Sequence, residues 1–221
     1  MTSDVNAIRH ERIGLADLYL ADCRDVLPHV QADVLITDPV WPNCPAGLLA
    51  GSHDPVGLMA SAMAAMNSVR RAVIVMRSDS DPRFLAAMTM PFFRVQILPY
   101  VMPGFIGRKL GGDELAYCFG EPVPSASGRR LIPGYAPKVQ PGGRKGNGHP
   151  CSRALEHFLW LVGWWSEPGE VVLDPFMGSG TTLVAAVSQG RRAVGIEIDP
   201  QYFDIACERV ENAQRQGRFA C

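Results

Sequence analysis

The sequence lacks the patterns on which several protein classes depend. Its six cysteines are scattered and form no C-x-x-C pair, so we expect neither a cysteine metal centre nor a disulfide framework. No apolar run reaches the ~18 residues that cross a membrane. The N-terminus carries charges at Asp4, Arg9 and Glu11, where a signal peptide would be apolar. These absences predict a cytoplasmic protein with reduced thiols, no bound metal and no membrane partner.

Acidic residues are missing from one stretch of the chain. Between Pro122 and Leu155 there is no Asp or Glu, although the net charge of the whole chain is only -1. The same stretch is rich in proline, glycine and serine, and its basic residues are Arg129, Arg130, Lys138, Arg144, Lys145 and Arg153. This composition indicates a loop that contacts phosphates. A solvated surface loop is the alternative.

Short apolar runs alternate with helical patterns along the rest of the sequence. The runs at 18–21, 34–37, 72–76, 93–100, 115–119, 171–173 and 193–196 predict buried strands, and the patterns at 55–70, 152–165, 181–189 and 200–214 predict helices. This alternation favours one α/β domain over residues 1–221, with a doubly wound, mostly parallel, Rossmann-like sheet. Residues 120–149 are predicted to form an inserted basic loop region. Such sheets bind ligands beyond the carboxyl ends of their strands.

A glycine-rich segment connects a predicted strand to a predicted helix and reads Asp174-Pro-Phe-Met-Gly-Ser-Gly-Thr-Thr182. Gly178 and Gly180 would let the backbone approach a ligand closely, and the free N–H groups of the next helix would face it. The segment is neither a P-loop, since no lysine follows the second glycine, nor the G-x-G-x-x-G of dinucleotide binders. Glu197 ends the next predicted strand, where a carboxylate can accept hydrogen bonds from ribose hydroxyls. The two features together predict a nucleoside cofactor.

These residues resemble the cofactor motif of the β-class DNA amino-methyltransferases, which use S-adenosylmethionine. The resemblance implies a circularly permuted fold, with the catalytic half before the cofactor half. It implies that Glu197 holds the ribose of the cofactor. It also implies that Asp174 belongs to the cofactor site and that the methionine part is surrounded by residues of the glycine turn, namely Phe176, Gly178, Ser179, Gly180 and Thr181.

Two further segments resemble cofactor contacts of the same family. Ala21-Asp22-Cys23 is similar to the step beside the adenine ring, which implies contacts from Asp22 and Cys23. The alternative is that Asp22 only caps a turn and Cys23 only packs. His149-Pro-Cys-Ser-Arg153 is similar to the segment that reaches the cofactor's carboxylate, which implies a role there for Ser152 and Arg153.

Asp38-Pro-Val-Trp41 follows the predicted strand 34–37 and resembles the family's Asp-Pro-Pro-Tyr signature. The resemblance implies that the Asp38 carboxylate, which is also expected beside the cofactor, and the Pro39 carbonyl accept the two hydrogens of a base amino group. Trp41 would stack on a base flipped out of the duplex. Val40 replaces the second proline, and a free N–H there makes the turn looser. Because the first position is aspartate, the resemblance also implies adenine rather than cytosine as the target base.

The resemblance therefore predicts methyl transfer to a flipped adenine in double-stranded DNA, by a bacterial or phage protein that associates with the nucleoid. Residues 120–149 take the place of the target-recognition region, so Arg129, Arg130, Lys138, Arg144 and Lys145 are expected to contact DNA. Because this region is short and relatives are often dimers, a homodimer is among the expected partners. The alternatives are cytosine-N4 methylation, methylation of RNA or of a protein amide, and a non-catalytic DNA-binding module that retains the cofactor pocket.

Overall fold

A computed structural model describes residues 6–100, 105–106, 109–110, 114–123, 135–139 and 153–218. The strands in these ranges are β1 Arg9–Ile13, β2 Ala16–Leu20, β3 Val34–Thr37, β4 Arg71–Arg77, β5 Phe92–Leu98, β6 Phe105–Ile106, β7 Lys109–Leu110, β8 Glu114–Gly120, β9 Val171–Asp174 and β10 Arg192–Glu197. The α-helices are α1 Cys23–Val26, α2 Pro55–Ala65, α3 Leu155–Trp165, α4 Thr181–Ser188 and α5 Pro200–Arg218. Short 3₁₀ helices cover Leu27–His29 and Pro82–Ala87.

Eight of the described strands form one sheet in the order β1-β2-β10-β9-β3-β4-β8-β5, and β6 pairs with β7 separately. The five strands from β2 to β4 in this order are parallel neighbours. β1 and β8 run against them, and β5 is antiparallel to β8. The predicted doubly wound, mostly parallel Rossmann-like sheet is therefore confirmed. The interiors of β3, β4, β9 and β10 are buried and apolar, as expected for parallel strands with both faces covered.

Helices cover the sheet on both sides and enclose two apolar layers. On one side α3, α4 and α5 bury Phe158, Trp165 and Phe203 against the sheet. On the other side α1 and α2 pack with Met59 and Ile74, which are also inaccessible to solvent. None of the described helices is long and apolar enough to span a membrane.

The order of the strands reverses between β3 and β9. From β3 the chain passes through α2 to β4 on one side, whereas from β9 it passes through α4 to β10 on the other. Val34 in β3 lies opposite Val172 in β9, so the two strands end side by side. The crevice beyond such a reversal is where doubly wound sheets bind ligands. β3 precedes β9 in the chain, which is the predicted permuted order.

Several of the predicted boundaries are wrong, and strands β1, β6 and β7 were not predicted. The helix expected over 55–70 ends at Ala65, because the Asn67 amide donates to the carbonyls of Pro28 and Val30 at 3.1 and 2.8 Å and holds the chain in another course. The helix expected from residue 152 begins at Leu155. β1 is an edge strand with exposed polar side chains, so its sequence shows no apolar run.

Candidate active site

A cleft of about 490 Å³ lies at the carboxyl ends of β3, β9 and β10. It is lined by most of the residues that the sequence singled out, namely Asp22, Cys23, Asp38, Pro39, Val40, Trp41, Arg153, Asp174, Phe176, Gly178, Ser179, Thr181 and Glu197. A volume of this size is typical of small-molecule and cofactor sites. The fold thus brings the two motif regions, 136 residues apart in sequence between Asp38 and Asp174, into one cavity.

Asp174 connects the strand ends to the glycine turn. Its carboxylate accepts hydrogen bonds from Thr37 Oγ1 at 2.6 Å, from Thr182 Oγ1 at 2.5 Å and from the backbone N–H of Phe176 at 3.1 Å. Burial raises the pKa of Asp174 to about 6, although these three donors oppose the shift. The side chain is 2% exposed, so its direct role is to fix β3, the turn and the start of α4 relative to one another.

Replacing Asp174 with alanine should lower the free energy of unfolding by about 2–4 kcal/mol, because two buried hydroxyls and one N–H lose their acceptor. Asp174→Asn should cost less, since the amide oxygen still accepts one of these bonds. Urea unfolding at pH 7 measures both, with exposed Asp25→Ala as the control, expected within about 0.5 kcal/mol of wild type. Equal stability of Asp174→Ala and wild type would contradict this account.

Two positive φ angles shape the glycine turn. Gly178 has φ 50° and Gly180 has φ 77°, in a region of backbone conformation that residues with a Cβ rarely adopt. A Cβ on Gly180 would also lie 3.0 Å from the Cβ of Ala206 in α5. The turn therefore needs glycine both for its conformation and for its close approach to α5.

Glu197 holds the glycine turn from the end of β10. Its Oε2 accepts the backbone N–H of Gly178 at 2.9 Å, while Oε1 accepts the N–H groups of Ile198 and Asp199 at 3.0 and 2.8 Å. Burial raises the pKa of Glu197 in spite of these three donors. The carboxylate lines the cleft and retains lone pairs for a further donor, such as a ligand hydroxyl.

Arg209 supports the same turn from α5, a contact that no sequence pattern indicated. Its Nη1 donates to the carbonyl and Oγ of Ser179 at 2.5 and 3.0 Å and to Thr181 Oγ1 at 3.2 Å. Burial lowers the pKa of Arg209, and no acid among the described residues offsets this effect. The turn is thus fixed by a cation that brings positive charge close to the cleft.

Asp22 and Cys23 lie at the side of the cleft near β2. Asp22 caps α1 by accepting the N–H of Arg24 at 2.9 Å and also pairs with the Arg24 guanidinium, which holds the pKa of Asp22 below its usual range. Cys23 is 6% exposed, and burial raises the pKa of its thiol to about 12. Asp22 therefore caps a helix and Cys23 packs in the interior, as the alternative reading of the sequence expected. Both residues also line the cleft.

The carboxylate of Asp38 forms an ion pair with Arg153, and both residues line the cleft. Arg153 Nε donates to Asp38 Oδ2 at 2.5 Å, while Nη2 is 3.5 Å from Oδ1. Arg153 Nη1 donates to Oε1 of Glu114, at the start of β8, at 2.9 Å. Burial raises the pKa of Asp38 to about 7, against the effect of the Arg153 cation. Asp38 is thus engaged by a protein cation in this structure.

Trp41 lies beneath Arg153. The guanidinium carbon of Arg153 is 4.0 Å from the centre of the indole ring, and that of Arg77 is 6.0 Å from it. Trp41 Nε1 donates to the carbonyl of Val75 in β4 at 3.1 Å, and the residue is 8% exposed. One face of the ring is therefore covered by Arg153, and a base that stacked there would have to take the place of the guanidinium.

Not every predicted site residue can be placed. Ser152, Arg129, Arg130, Arg144 and Lys145 lie outside the described residues, and so does most of the 120–149 region. Lys138 is described and exposed, but it does not line the cleft. Arg77, at the end of β4, also lines the cleft. Among the described residues, no group of His, Cys, Asp and Glu is arranged to hold a metal ion.

The model of one protein family matches more than half of the chain. It is the N6/N4 methyltransferase family, described as DNA methylase, and the match covers residues 91–208. The chain belongs to this family. The predicted membership among the DNA amino-methyltransferases is confirmed, and the cleft with Asp38 and the glycine turn is the candidate active site of a DNA methylase fold.

Two curated relatives agree with the family. The chain is 52% identical over 63 residues to the orphan methyltransferase M.BamHII of Bacillus amyloliquefaciens, which is 28% of this chain and 22% of that protein. It is 29% identical over 111 residues to the DNA adenine methyltransferase YhdJ of Escherichia coli strain K12, which is 49% of this chain and 38% of that protein. The chain thus spans less than two fifths of the length of these relatives.

A solved structure agrees with the fold. The crystal structure of the M1.HpyAVI–SAM complex superimposes with a TM-score of 0.68 at 22% sequence identity, covering 88% of this chain and 98% of that one. At this identity the likeness concerns the fold.

Proposed function

We propose that this protein transfers a methyl group from S-adenosylmethionine to the exocyclic amino nitrogen of a flipped adenine in double-stranded DNA. The observation that carries the proposal is the single cleft that joins the Asp38 turn to the glycine turn and Glu197. One end offers a carboxylate acceptor for an amino group, and the other offers a backbone cradle and an acceptor for ribose. This is the pair of binding functions that methyl transfer to a base requires.

The described residues fit S-adenosylmethionine. Gly178 lines the cleft with a positive φ and no side chain, so a ligand could approach the backbone there, whereas Gly180 faces Ala206 and does not line the cleft. Glu197 would accept from the ribose hydroxyls, Asp22 and Cys23 would flank the adenine ring, and the turn with Arg209 behind it would favour a carboxylate. The crystal structure of M1.HpyAVI, which has the same fold, is a complex with SAM. When bound, the cofactor supplies a methyl group on a positively charged sulfur.

The Asp38 turn would prepare the amino group as a nucleophile. The lone pair of an aryl amine is delocalised into the ring, and acceptors for both amino hydrogens oppose that delocalisation. Asp38 Oδ1 is the freer oxygen, since its contact with Arg153 is 3.5 Å against 2.5 Å for Oδ2. Oδ1 and the Pro39 carbonyl would each accept one hydrogen. As the nitrogen gains the methyl group it must lose a proton, which the Asp38 carboxylate can take and pass to water.

Adenine is the base that the site favours in this proposal. The turn begins with aspartate, which by resemblance is the adenine type, and the relative YhdJ is named a DNA adenine methyltransferase. Cytosine-N4 methylation is the second candidate, because the family model itself covers both N6 and N4 enzymes. The basic residues of the 120–149 region, with exposed Lys138 among them, would supply phosphate contacts.

The test is methyl transfer from radiolabelled S-adenosylmethionine to unmethylated duplex DNA, with single-stranded DNA and RNA in parallel, followed by nucleoside analysis. We expect N6-methyladenine from the duplex. If the product is N4-methylcytosine, the target base is cytosine and not adenine. Label found on RNA alone would overturn the assignment to DNA. Cofactor binding without transfer to any nucleic acid, joined by transfer in Val40→Pro, would support the non-catalytic alternative.

The reaction rate should rise as the pH rises through about 7, because only the ionised Asp38 carboxylate accepts both an amino hydrogen and a proton. Its pKa of about 7 leaves roughly a tenth of it ionised at pH 6, so the rate there should be about tenfold below that at pH 8. Steady-state kcat/KM across this range measures the effect, with cofactor affinity determined at each pH as the control. A flat profile between these values would contradict the role of Asp38.

Replacing Arg209 with methionine should weaken S-adenosylmethionine binding by about tenfold, which corresponds to the loss of one charged hydrogen-bond cluster. The glycine turn would lose three contacts at Ser179 and Thr181, and the cleft would lose a nearby cation. Calorimetric titration measures the affinity. Arg215→Met, an exposed arginine on the same helix that pairs with Glu211, is the matched control and should bind like wild type. Unchanged affinity in Arg209→Met would remove Arg209 from the site.

A further inference from the structure

Arg153 lies between two carboxylates that come from different parts of the fold. It precedes α3, and it joins Asp38 after β3 to Glu114 at the start of β8, at 2.5 and 2.9 Å. The exposed fractions of the three side chains are only 15%, 17% and 8%. One cation thus serves two anions in a largely desolvated place, where unbalanced charge is expensive. We call Asp38, Arg153 and Glu114 the charge cluster.

Glu114 is a second buried carboxylate beside the catalytic turn. Its Oε1 accepts a hydrogen bond from Arg153 Nη1 at 2.9 Å, and its Oε2 is buried as well. The charge of Glu114 and its hydrogen bond with Tyr100 raise the pKa of the Tyr100 phenol, after burial as the largest cause. A carboxylate held away from water is costly unless its partners offset the cost. Arg153 is one of these partners, so its guanidinium has a second anion to bind besides Asp38.

The arrangement of the charge cluster conflicts with the binding of a base. The guanidinium engages Asp38 Oδ2 and covers a face of Trp41, with 4.0 Å between its central carbon and the ring centre. These are the two groups that the proposed function offers to the target base. A base can reach them only if the guanidinium leaves Asp38. Without a second anion, the displaced cation would be buried and unpaired.

We propose that Glu114 is a positioning residue for methyl transfer: it holds Arg153 beside the catalytic turn and retains the guanidinium when the target base takes its place at Asp38. This inference rests on the proposed function, because it concerns the entry of the base. Glu114 does not line the cleft and lies behind Arg153, so it acts through Arg153 and not on the base. The Arg153 guanidinium thereby binds both carboxylates, so less free energy is needed to separate it from Asp38.

The charges around Asp38 determine the direction of each expected shift. It is faced by Arg153 from the segment before α3, by Glu114 from β8 and by Asp174 from β9. Arg153 lowers the pKa of Asp38, and both carboxylates raise it. Removing Glu114 would give Arg153 wholly to Asp38 and should lower that pKa. Removing Arg153 should raise it.

The experiment compares Glu114→Gln, Arg153→Met and the double variant in the full chain. Carbon-13 NMR of aspartate-labelled protein, with Asp38→Asn to assign the signal, should show the pKa of Asp38 falling by about one unit in Glu114→Gln and rising in Arg153→Met. With duplex DNA, Glu114→Gln should raise KM for DNA about tenfold, because Arg153 then blocks Asp38 more firmly. The acid side of its pH–rate profile should move to lower pH.

The double variant and the controls separate this role from damage to the fold. If Arg153 is the obstacle in Glu114→Gln, adding Arg153→Met should bring the KM for DNA back toward wild type, and Glu114→Asp should recover part of it. Glu156→Gln is the matched control, since it removes an exposed carboxylate near the start of α3. It should behave like wild type in every measurement.

The inference is overturned if Glu114→Gln keeps the wild-type KM for DNA and pH profile while wild type methylates DNA. It is also overturned if the double variant is worse than either single one in KM for DNA. A wild type that never methylates DNA overturns the proposed function, and Glu114's role in it as well. In that case the NMR titration still reports separately whether Glu114 and Asp38 share Arg153.

Discussion

Replacing Asp38 with asparagine should reduce single-turnover methyl transfer to DNA by about a thousandfold or more, while S-adenosylmethionine affinity changes less than about threefold. The asparagine oxygen could still accept one amino hydrogen, but it carries no charge and cannot take the proton that the nitrogen must release. Asp38→Ala removes the acceptor altogether and should be at least as severe. The loss should therefore appear in the chemical step and not in cofactor binding.

Rapid-quench assays with enzyme in excess over DNA measure this step directly. The matched control is Asp204→Asn, which removes an exposed carboxylate on α5 that pairs with Arg9 at the surface. It should retain the wild-type rate. Asp38→Asn with more than about a tenth of the wild-type rate would contradict the role of the carboxylate, since a positioned acid–base group contributes at least about a hundredfold.

The cofactor half of the site could be predicted from sequence because its contacts are local. The glycine turn and Glu197 lie within one strand–helix–strand unit, so the fold of that unit alone brings Glu197 to the N–H of Gly178. Strand ends could be located for the same reason, because fully buried parallel strands have continuous apolar sequences. The confirmed family and sheet type both follow from such short-range patterns.

The charge cluster could not be predicted, because its partners are far apart in the chain. Arg153 lies 115 residues from Asp38 and 39 from Glu114. Their contact depends on β8 being antiparallel to β4 and next to it, an order that no local pattern specifies. The resemblance directed Arg153 to the cofactor's carboxylate, whereas the structure shows it on Asp38 and Glu114. The two positions are compatible only if the side chain moves.

The boundary of α2 shows a second way in which tertiary contacts override local sequence. Residues 55–70 have helical composition, yet the helix ends at Ala65 and Met66 adopts an extended conformation. The Asn67 amide donates to three backbone carbonyls, in the 3₁₀ helix after α1 and at Val30, at 2.8–3.4 Å, and these contacts compete with continuation of the helix. Edge strand β1 was not predicted because its side chains are largely polar. It forms by pairing with β2, which no apolar pattern in its own sequence indicates.

Replacing Glu197 with alanine should weaken S-adenosylmethionine binding by about a hundredfold or more, the second of the two large effects. Its two oxygens accept three backbone N–H groups and would lie next to the ribose. Each such charged hydrogen bond contributes on the order of 1.5–3 kcal/mol, and a loss of 2.8 kcal/mol is about a hundredfold in affinity. Glu197→Gln should bind S-adenosylmethionine nearly as weakly as Glu197→Ala, because the amide NH₂ would face a backbone N–H. Glu208→Gln, exposed on α5, is the matched control.

A ligand without one ribose hydroxyl separates the two contributions of Glu197. Wild type should bind the 2′-deoxy form of S-adenosylhomocysteine more weakly than the parent compound, whereas Glu197→Ala should bind both alike, because the acceptor for that hydroxyl is gone. If the variant still distinguishes the two ligands as wild type does, Glu197 acts only by holding the glycine turn through Gly178. The ribose contact would then belong to another residue of the cleft. This comparison of two proteins with two ligands is a double-mutant cycle in which one change is made in the ligand. It tests both the ribose contact of Glu197 and the orientation of the cofactor in the cleft.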